Sequence, residues 1–290
     1  MTTEASSSAA NPVGNPVGNP VGVAYDRIAP DYDQQLLGDQ WMRAVLWRHY
    51  LRLFHPGDQV LDIGCGTGID AVRLAQSGVL VTAIDVSPGM IARAQERAEA
   101  AGLAGLISAR VLDATEIGRL TALGSGPYDG IVSAFAGLST LPDLTRFARD
   151  AAALLRPNGH LVLHLLNRFS LWECLGQLRH GRWHEARRLG SRHERIFMIG
   201  GLPVRHYLYF PLEVERRYFD SGFELSRVYG LGALRPPHTL RRVPAPLAAG
   251  LGRLDERLAR WPPLRGCGRF FVLDLTVRSQ EHDAHAPEAG

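Results

Sequence analysis

From Val23 to about Arg168, apolar positions fall into short continuous runs that alternate with stretches of helical periodicity. The runs "QVLDIG", "LVTAIDVS", "ISARVLDA", "YDGIVSAFAG" and "HLVLHLLNR" are aliphatic and β-branched, bounded by Gly, Pro or Asp, and read as strands. Between them, "GIDAVRLAQSG", "PGMIARAQERAEAAG", the short "TEIGRLTAL" and "LPDLTRFARDAAALLRPNG" space their apolar residues for one helical face. A further helical stretch, through "WMRAVLWRHYLRLF", precedes the first strand and ends at Pro56-Gly57. Strands alternating with helices predict an α/β fold: a doubly wound, mostly parallel sheet covered on both faces.

The alternation lapses after Arg168. A helical, Arg- and His-rich insert, "FSLWECLGQLRHGRWHEARRLGSRHERIF", precedes a strand "PVRHYLYF", a helix "PLEVERRYFDSG" and a strand "FELSRVYGLG". A Pro-rich, partly helical stretch follows, to about Pro263, and "RFFVLDLTVRS" closes the pattern as a last strand, expected antiparallel. One domain is expected over 23–279, with insertions at about 168–210 and 230–268. Residues 1–22 contain "NPVGNPVGNPVG", three copies of a turn-forming tetrapeptide with no apolar face, and are expected to be a disordered tail, as are 280–290.

At 290 residues, 46% hydrophobic and 21% charged, the chain can bury one sizeable core. It has no apolar run of about 18 residues and no signal-peptide pattern, so a cytoplasmic location is expected. Cys65, Cys174 and Cys267 are scattered and odd in number, which points away from disulfides and from a metal site. All 32 basic residues are Arg. Between Arg168 and Arg269 there are 19 Arg against 9 acids, so the insert region could face an anionic acceptor or a membrane surface.

The chemistry-bearing stretch is "VLDIGCGTGID", Val60 to Asp70, a strand ending in a glycine turn and then a helix. In doubly wound sheets ligands sit beyond the carboxyl ends of the strands, next to the first strand, and the loop falls there. A dinucleotide loop has the form GxGxxG. Here Gly64 and Gly66 fit, but the third glycine is one residue early, at Gly68, with Ile69 in its place, and Asp62 precedes them.

The resulting D-x-G-x-G-x-G resembles motif I of the class I, Rossmann-like S-adenosylmethionine (SAM) dependent methyltransferases. The likeness runs from Tyr25 to about Gly159 and includes "AYDRIAPDYD", "AIDVSPGMIARAQ", "LDAT" and "LLRPNGHLVL" in family order. It implies SAM as cofactor and S-adenosylhomocysteine (SAH) as product. Asp85 would accept the ribose hydroxyls. Gly64 and Gly66 would admit the ligand to the backbone, Gly68 would join them in binding the cofactor, Cys65 would offer main-chain atoms only, and Asp62 would fix the loop and the amino group. Asp113 and Ala114 would meet the adenine edge, with Val86 and Met90 packed around it. Ser133 and Phe135, after strand four, would face the reactive methyl, while Tyr25 and Tyr32 would close over the cofactor.

"SAFAG" replaces the Asn/Asp-Pro-Pro-aromatic motif of enzymes that methylate base or glutamine amines, and no stacking-aromatic RNA motif is present, so nucleic acid is not an expected partner. The resemblance implies in-line transfer of the methyl group to an O, N or C acceptor on a small molecule, such as a specialised metabolite. Should the acceptor have to lose a proton, His164 and His206 are the candidate bases. Trp172, Trp183, Tyr207 and Phe210 are candidate walls of an acceptor pocket that would take an aromatic or anionic molecule. A quinone-pathway or lipid methyltransferase stands as an alternative, with peripheral membrane contact. From other classes, an NAD-dependent oxidoreductase and a non-catalytic SAM/SAH-binding protein remain open.

Overall fold

A computed structural model describes residues 19–35, 37–238, 240 and 243–278. Its main sheet has seven strands: β1 (Gln59–Ile63), β2 (Leu80–Asp85), β3 (Ile107–Val111), β4 (Tyr128–Ser133), β5 (Leu155–Leu166), β8 (Phe223–Leu231) and β9 (Phe270–Val277). Their order is β3-β2-β1-β4-β5-β9-β8. The first five run parallel, and β9 lies antiparallel between β5 and β8. The expected doubly wound sheet and antiparallel last strand are therefore present.

The central strands are buried on both faces, which is why their sequences are nearly continuous apolar runs. Successive residues feed opposite cores. Val60, Val132, Val162 and Val272 pack under helices Gln40–Leu53, Ile69–Ala75 and Pro88–Ala100, while Leu61, Ile131, Leu161 and Leu273 pack under helix Thr145–Leu154 and the helical segment from Pro211 to Phe219. The chain moves outward from β1 to β3, then crosses back to β4. The crevice between the carboxyl ends of β1 and β4 is the switch point at which such sheets bind ligands.

Two expectations change. The tail expected through residue 22 overlaps ordered chain: residues 1–18 lie outside the described residues, but Pro20–Ile28 is a helix capped by the Asn19 side chain, which accepts the Val21 N–H at 2.9 Å. The last tetrapeptide copy thus supplies a helix N-cap and a proline at the first helical position. The expected C-terminal tail, 280–290, also lies outside the described residues. In the insert, helices Leu171–Arg179 and Trp183–Arg188 form as expected, but "ERIFMI" is a strand, β6 (Glu194–Ile199), paired with β7 (Leu202–Tyr207). The reason is local. Ile196, Phe197, Met198 and Ile199 favour a pleated surface, their exposure alternates, and Gly200-Gly201 adopts positive φ at both positions of a two-residue hairpin turn.

Candidate active site

A cavity of about 240 Å³ opens at the switch point. Its floor is the loop after β1, where the Gly64 and Cys65 N–H groups donate to the Ile84 carbonyl and the Gly68 N–H to the Cys65 carbonyl. Gly66 sits at φ +54°, and a Cβ there would stand 3.3 Å from the Tyr32 ring, so a side chain would fill the space between loop and ring. Gly68 plays another part. It begins helix Ile69–Ala75, and a Cβ would be 2.9 Å from that of Ala94, so it permits helix–helix contact and does not line the cavity.

Asp85, ending β2, reaches the loop: its Oδ2 accepts the Gly66 N–H at 3.0 Å and its Oδ1 the Ser87 N–H at 2.9 Å. Burial outweighs those bonds and pushes its carboxyl up to about 6. Each oxygen keeps a lone pair for a further donor. Opposite, Asp113 caps the turn after β3 through Thr115 and accepts the Asn19 Nδ2 at 2.6 Å. Val86, Met90 and Ala114 complete that end.

The N-terminal segment closes the cavity because its acids are tied to the loops. Asp26 accepts from Ser87 Oγ at 2.5 Å and the Gly89 N–H at 2.8 Å, and Asp33 accepts from Thr67 Oγ1 at 2.5 Å while pairing with Arg97. Tyr25 and Tyr32 are thereby held edge-to-face, centroids 6.1 Å apart, on the cavity wall. Burial raises both phenols, that of Tyr32 to about 12, so both remain neutral donors.

The far end carries charge. Arg43 and Asp70 form a buried ion pair on the cavity wall, and Trp47 Nε1 donates to Asp70 at 2.7 Å. Asp62 lies behind the wall, 1% exposed, with its Oδ2 unbonded. Burial first, then the charge of Asp70, hold its carboxyl well above the usual range. The Arg43 guanidinium stacks 4.4 Å from the Phe135 ring centroid.

Phe135 and Ala136 follow β4 at φ +48° and +64°, a conformation costing about 1–3 kcal/mol per residue. His164 on β5 stabilises it. Its Nδ1 accepts the Phe135 N–H at 3.1 Å, and its carbonyl accepts the Ala136 N–H at 2.9 Å. With Nδ1 occupied as an acceptor, the neutral ring carries its proton on Nε2. Burial, then Arg43 and Arg269, drive its pKa down to about 3. His164 therefore braces Phe135 from behind and lines no cavity.

Phe135 also contacts Phe270, centroids 6.2 Å apart, and Arg269, the residue before Phe270, lines a second cavity of about 470 Å³. It is formed by Met42, the end of β5, helix Leu171–Arg179 and the segment from Gly232 to Pro237.

Of the residues singled out in the sequence, Tyr25, Tyr32, Gly64, Cys65, Gly66, Asp85, Val86, Met90, Asp113, Ala114 and Phe135 line the first cavity. Asp62 and Ser133 are buried behind it. His206 is not brought there: it sits on β7 edge-to-face against Phe197, 5.0 Å between centroids, and lines neither cavity. Trp172 lines the second cavity, whereas Trp183 is 63% exposed and Phe210 packs under Arg168. Sequence reasoning missed Asn19, Arg43 and Asp70. Asp70, in the first turn after the glycines, was open to notice; Arg43 is one of many arginines, and only its packing distinguishes it.

Residues 60–159 match a family model described as a methyltransferase domain. A ubiquinone biosynthesis O-methyltransferase of Xanthomonas axonopodis pv. citri is 36% identical over 182 residues, covering 62% of this chain and 68% of the relative. The 27-O-demethylrifamycin SV methyltransferase of Amycolatopsis mediterranei is 37% identical over 112 residues, and there the match covers 37% of this chain and only 38% of the relative. Among solved structures, the CcbJ methyltransferase of Streptomyces caelestis shares the fold with a TM-score of 0.58 at 19% identity, over 88% of this chain and 98% of that one. The strand order, the shape of the glycine loop and a relative matched over two thirds of its length converge: this chain belongs to the class I, Rossmann-like SAM-dependent methyltransferases.

Proposed function

We propose that the first cavity holds SAM and that the methyl group passes across Phe135 to an oxygen of a small, planar acceptor in the second cavity. The carrying observation is the pair of cavities, one along a glycine loop and lined by Phe135, the other walled by Trp41, Trp172 and Phe197, linked by Phe270, which contacts Phe135 and follows Arg269 of the second cavity's wall. The first cavity suits the cofactor chemically. Arg43 suits a carboxylate and the Asp85 carboxylate a vicinal diol, with Asp113 and the Ala114 backbone at the adenine edge.

When bound, SAM supplies a methyl group on a cationic sulfur. The chain's residues hold donor and acceptor in line and exclude water from the sulfonium. Phe135, fixed by His164, sets the direction of approach. An oxygen acceptor is favoured because two relatives are named for O-methylation. The relative named for ubiquinone biosynthesis supports a second reading, a quinone-pathway acceptor. The cytoplasmic setting expected from the sequence goes with either.

The test is thermal unfolding of wild type and Asp85→Ala with SAM, SAH and NADH, followed by transfer of labelled methyl from SAM into aqueous and lipid fractions of a native extract. SAH at about a hundred times its dissociation constant should stabilise the wild type by roughly 2.7 kcal/mol and the variant much less. Stabilisation by NADH alone would overturn the cofactor assignment. Label confined to lipid would select the quinone or lipid acceptor over a soluble metabolite.

A further inference from the structure

The second cavity carries more chemistry than apolar walls, and the following inference rests on its being the acceptor site. Asn167, directly after β5, is 6% exposed, yet neither its Oδ1 nor its Nδ2 has a hydrogen-bond partner. The Trp172 Nε1 is likewise buried and unbonded. Both residues line the cavity. A buried amide and indole left unmet in the protein alone are groups that a bound molecule can satisfy: a hydroxyl or carbonyl oxygen would meet the Nδ2 and Nε1 donors, and a hydroxyl proton the Oδ1 acceptor.

The cavity's arginines divide into two kinds. Arg269 pairs with Asp39 at 3.1 Å, and Arg195 with Glu173 at 2.5 Å, so those charges are met within the protein. Arg179 and Arg235 have no carboxylate within ion-pair distance among the described residues. Arg235 is nonetheless held in place. Its guanidinium stacks 4.7 Å from the Trp41 ring centroid, and the turn before it is fixed by Asp255, which accepts the N–H groups of Gly232, Ala233 and Leu234 at 2.8, 3.0 and 2.7 Å. Two guanidiniums without a carboxylate partner, one of them stacked on Trp41, suit a planar molecule with a carboxylate, because a guanidinium binds a carboxylate through paired N–H donors.

Asn167 and Arg179 lie at different depths. Asn167 donates its backbone N–H to the carbonyl of Arg269, the residue before Phe270, which contacts Phe135. Arg179 ends its helix at the exposed rim, about 10 Å along the axis from Trp172 at 1.5 Å per residue.

We propose that the acceptor is a planar hydroxyaryl carboxylic acid, bound with its hydroxyl inward at Asn167 and Trp172 and its carboxylate outward at Arg235 and Arg179. The orientation assigns the reacting oxygen. The inner hydroxyl oxygen bonds to the methyl carbon, the carbon–sulfur bond breaks with its electron pair kept by sulfur, and the hydroxyl proton leaves to water. The product is a methyl ether that retains a free acid, not a methyl ester.

The test is calorimetric titration of SAH-saturated protein with 6-hydroxy-2-naphthoate and its neutral carboxamide, using wild type, Arg235→Gln, Arg179→Gln/Arg235→Gln and Asn167→Leu. The acid should bind at least about tenfold tighter than the amide in wild type, consistent with charge-assisted pairing. That preference should shrink in Arg235→Gln and vanish in the double variant, with SAH affinity unchanged. Asn167→Leu should weaken both probes alike while leaving the acid preference intact, a pattern that misfolding would not give because SAH binding persists. Equal binding of acid and amide, no binding of the acid at millimolar concentration, or a preference that survives the double variant would each overturn the proposal. If SAH itself fails to bind the wild type, the cofactor reading fails; if SAH binds and the acid preference is absent, only this inference does.

Discussion

The first cavity takes Gly64, Cys65 and Gly66 from one turn, and Asp85, Asp113 and Phe135 from the carboxyl ends of successive strands. The second takes Trp41, Asn167, Trp172 and Arg235 from four segments that no short motif links. In the first, a parallel sheet does the assembling: once β1 to β4 pair in register, their ends are adjacent, and a residue's place in the strand motif fixes its place in the site. In the second, position depends on how a helix, a proline-rich turn and the end of β5 pack together. A site built from strand ends can be changed residue by residue in ligand affinity, whereas one built from packing ties affinity to the supports behind it.

Breaking the buried ion pair should have the largest effect. Arg43→Met leaves Asp70 buried with only the Trp47 N–H and should lower unfolding free energy by about 3–5 kcal/mol, measured by denaturant titration. A loss below 1 kcal/mol would mean that the pair is relaxed by solvent. Next is Asp255→Ala, which removes the acceptor for three backbone N–H groups and should cost about 2–3 kcal/mol. Its sharper signature is a divided one: acceptor KM rises with Arg235 displaced, while SAH affinity stays unchanged. A parallel loss of SAH affinity would show that the two cavities are not independent.

A pH effect of intermediate size follows from Asp85. With its carboxyl raised to about 6, it is protonated below that pH and no longer accepts two hydroxyls as a carboxylate. SAH affinity should fall as pH drops through 6, by up to about tenfold per unit, and the profile of Asp85→Asn should be flat. The unliganded fold has the opposite sign. Its raised pKa favours the folded state at low pH, a contribution lost as pH rises from about 4, where the unfolded chain ionises, to about 6. The smallest effect expected is that of Asn19→Ala, about 1 kcal/mol for the lost cap, with a modest drop in SAH affinity through Asp113. No change in either would detach the last tetrapeptide copy from the site.

The sequence made the first cavity legible because its chemistry sits on the most local signals available, a glycine turn and acids at strand ends. Asp85 and Asp113 could be placed without coordinates for that reason. Asp26 and Asp33 stood in a segment whose likeness to the family was visible, but that they tie Tyr25 and Tyr32 over the loops emerged only from their partners Ser87, Gly89, Thr67 and Arg97. His206 and His164 are candidate bases by their chemistry alone. The fold brings neither to the wall of the two cavities: one packs on Phe197 and the other spends its Nδ1 on Phe135.

By itself the sequence determined the alternation of strands and helices, the loop at the first strand and the family, because these rest on periodicity and on backbone conformations that few residues adopt. Only the tertiary structure decided that Asn19 caps a helix over Asp113, that "ERIFMI" pairs as a hairpin, and that Asn167, Trp172 and Arg235 face one cavity. The physical reason is range. Turn and strand preferences act between neighbours in the chain, while burial, ion pairing and the meeting of distant side chains depend on which surfaces the fold brings together.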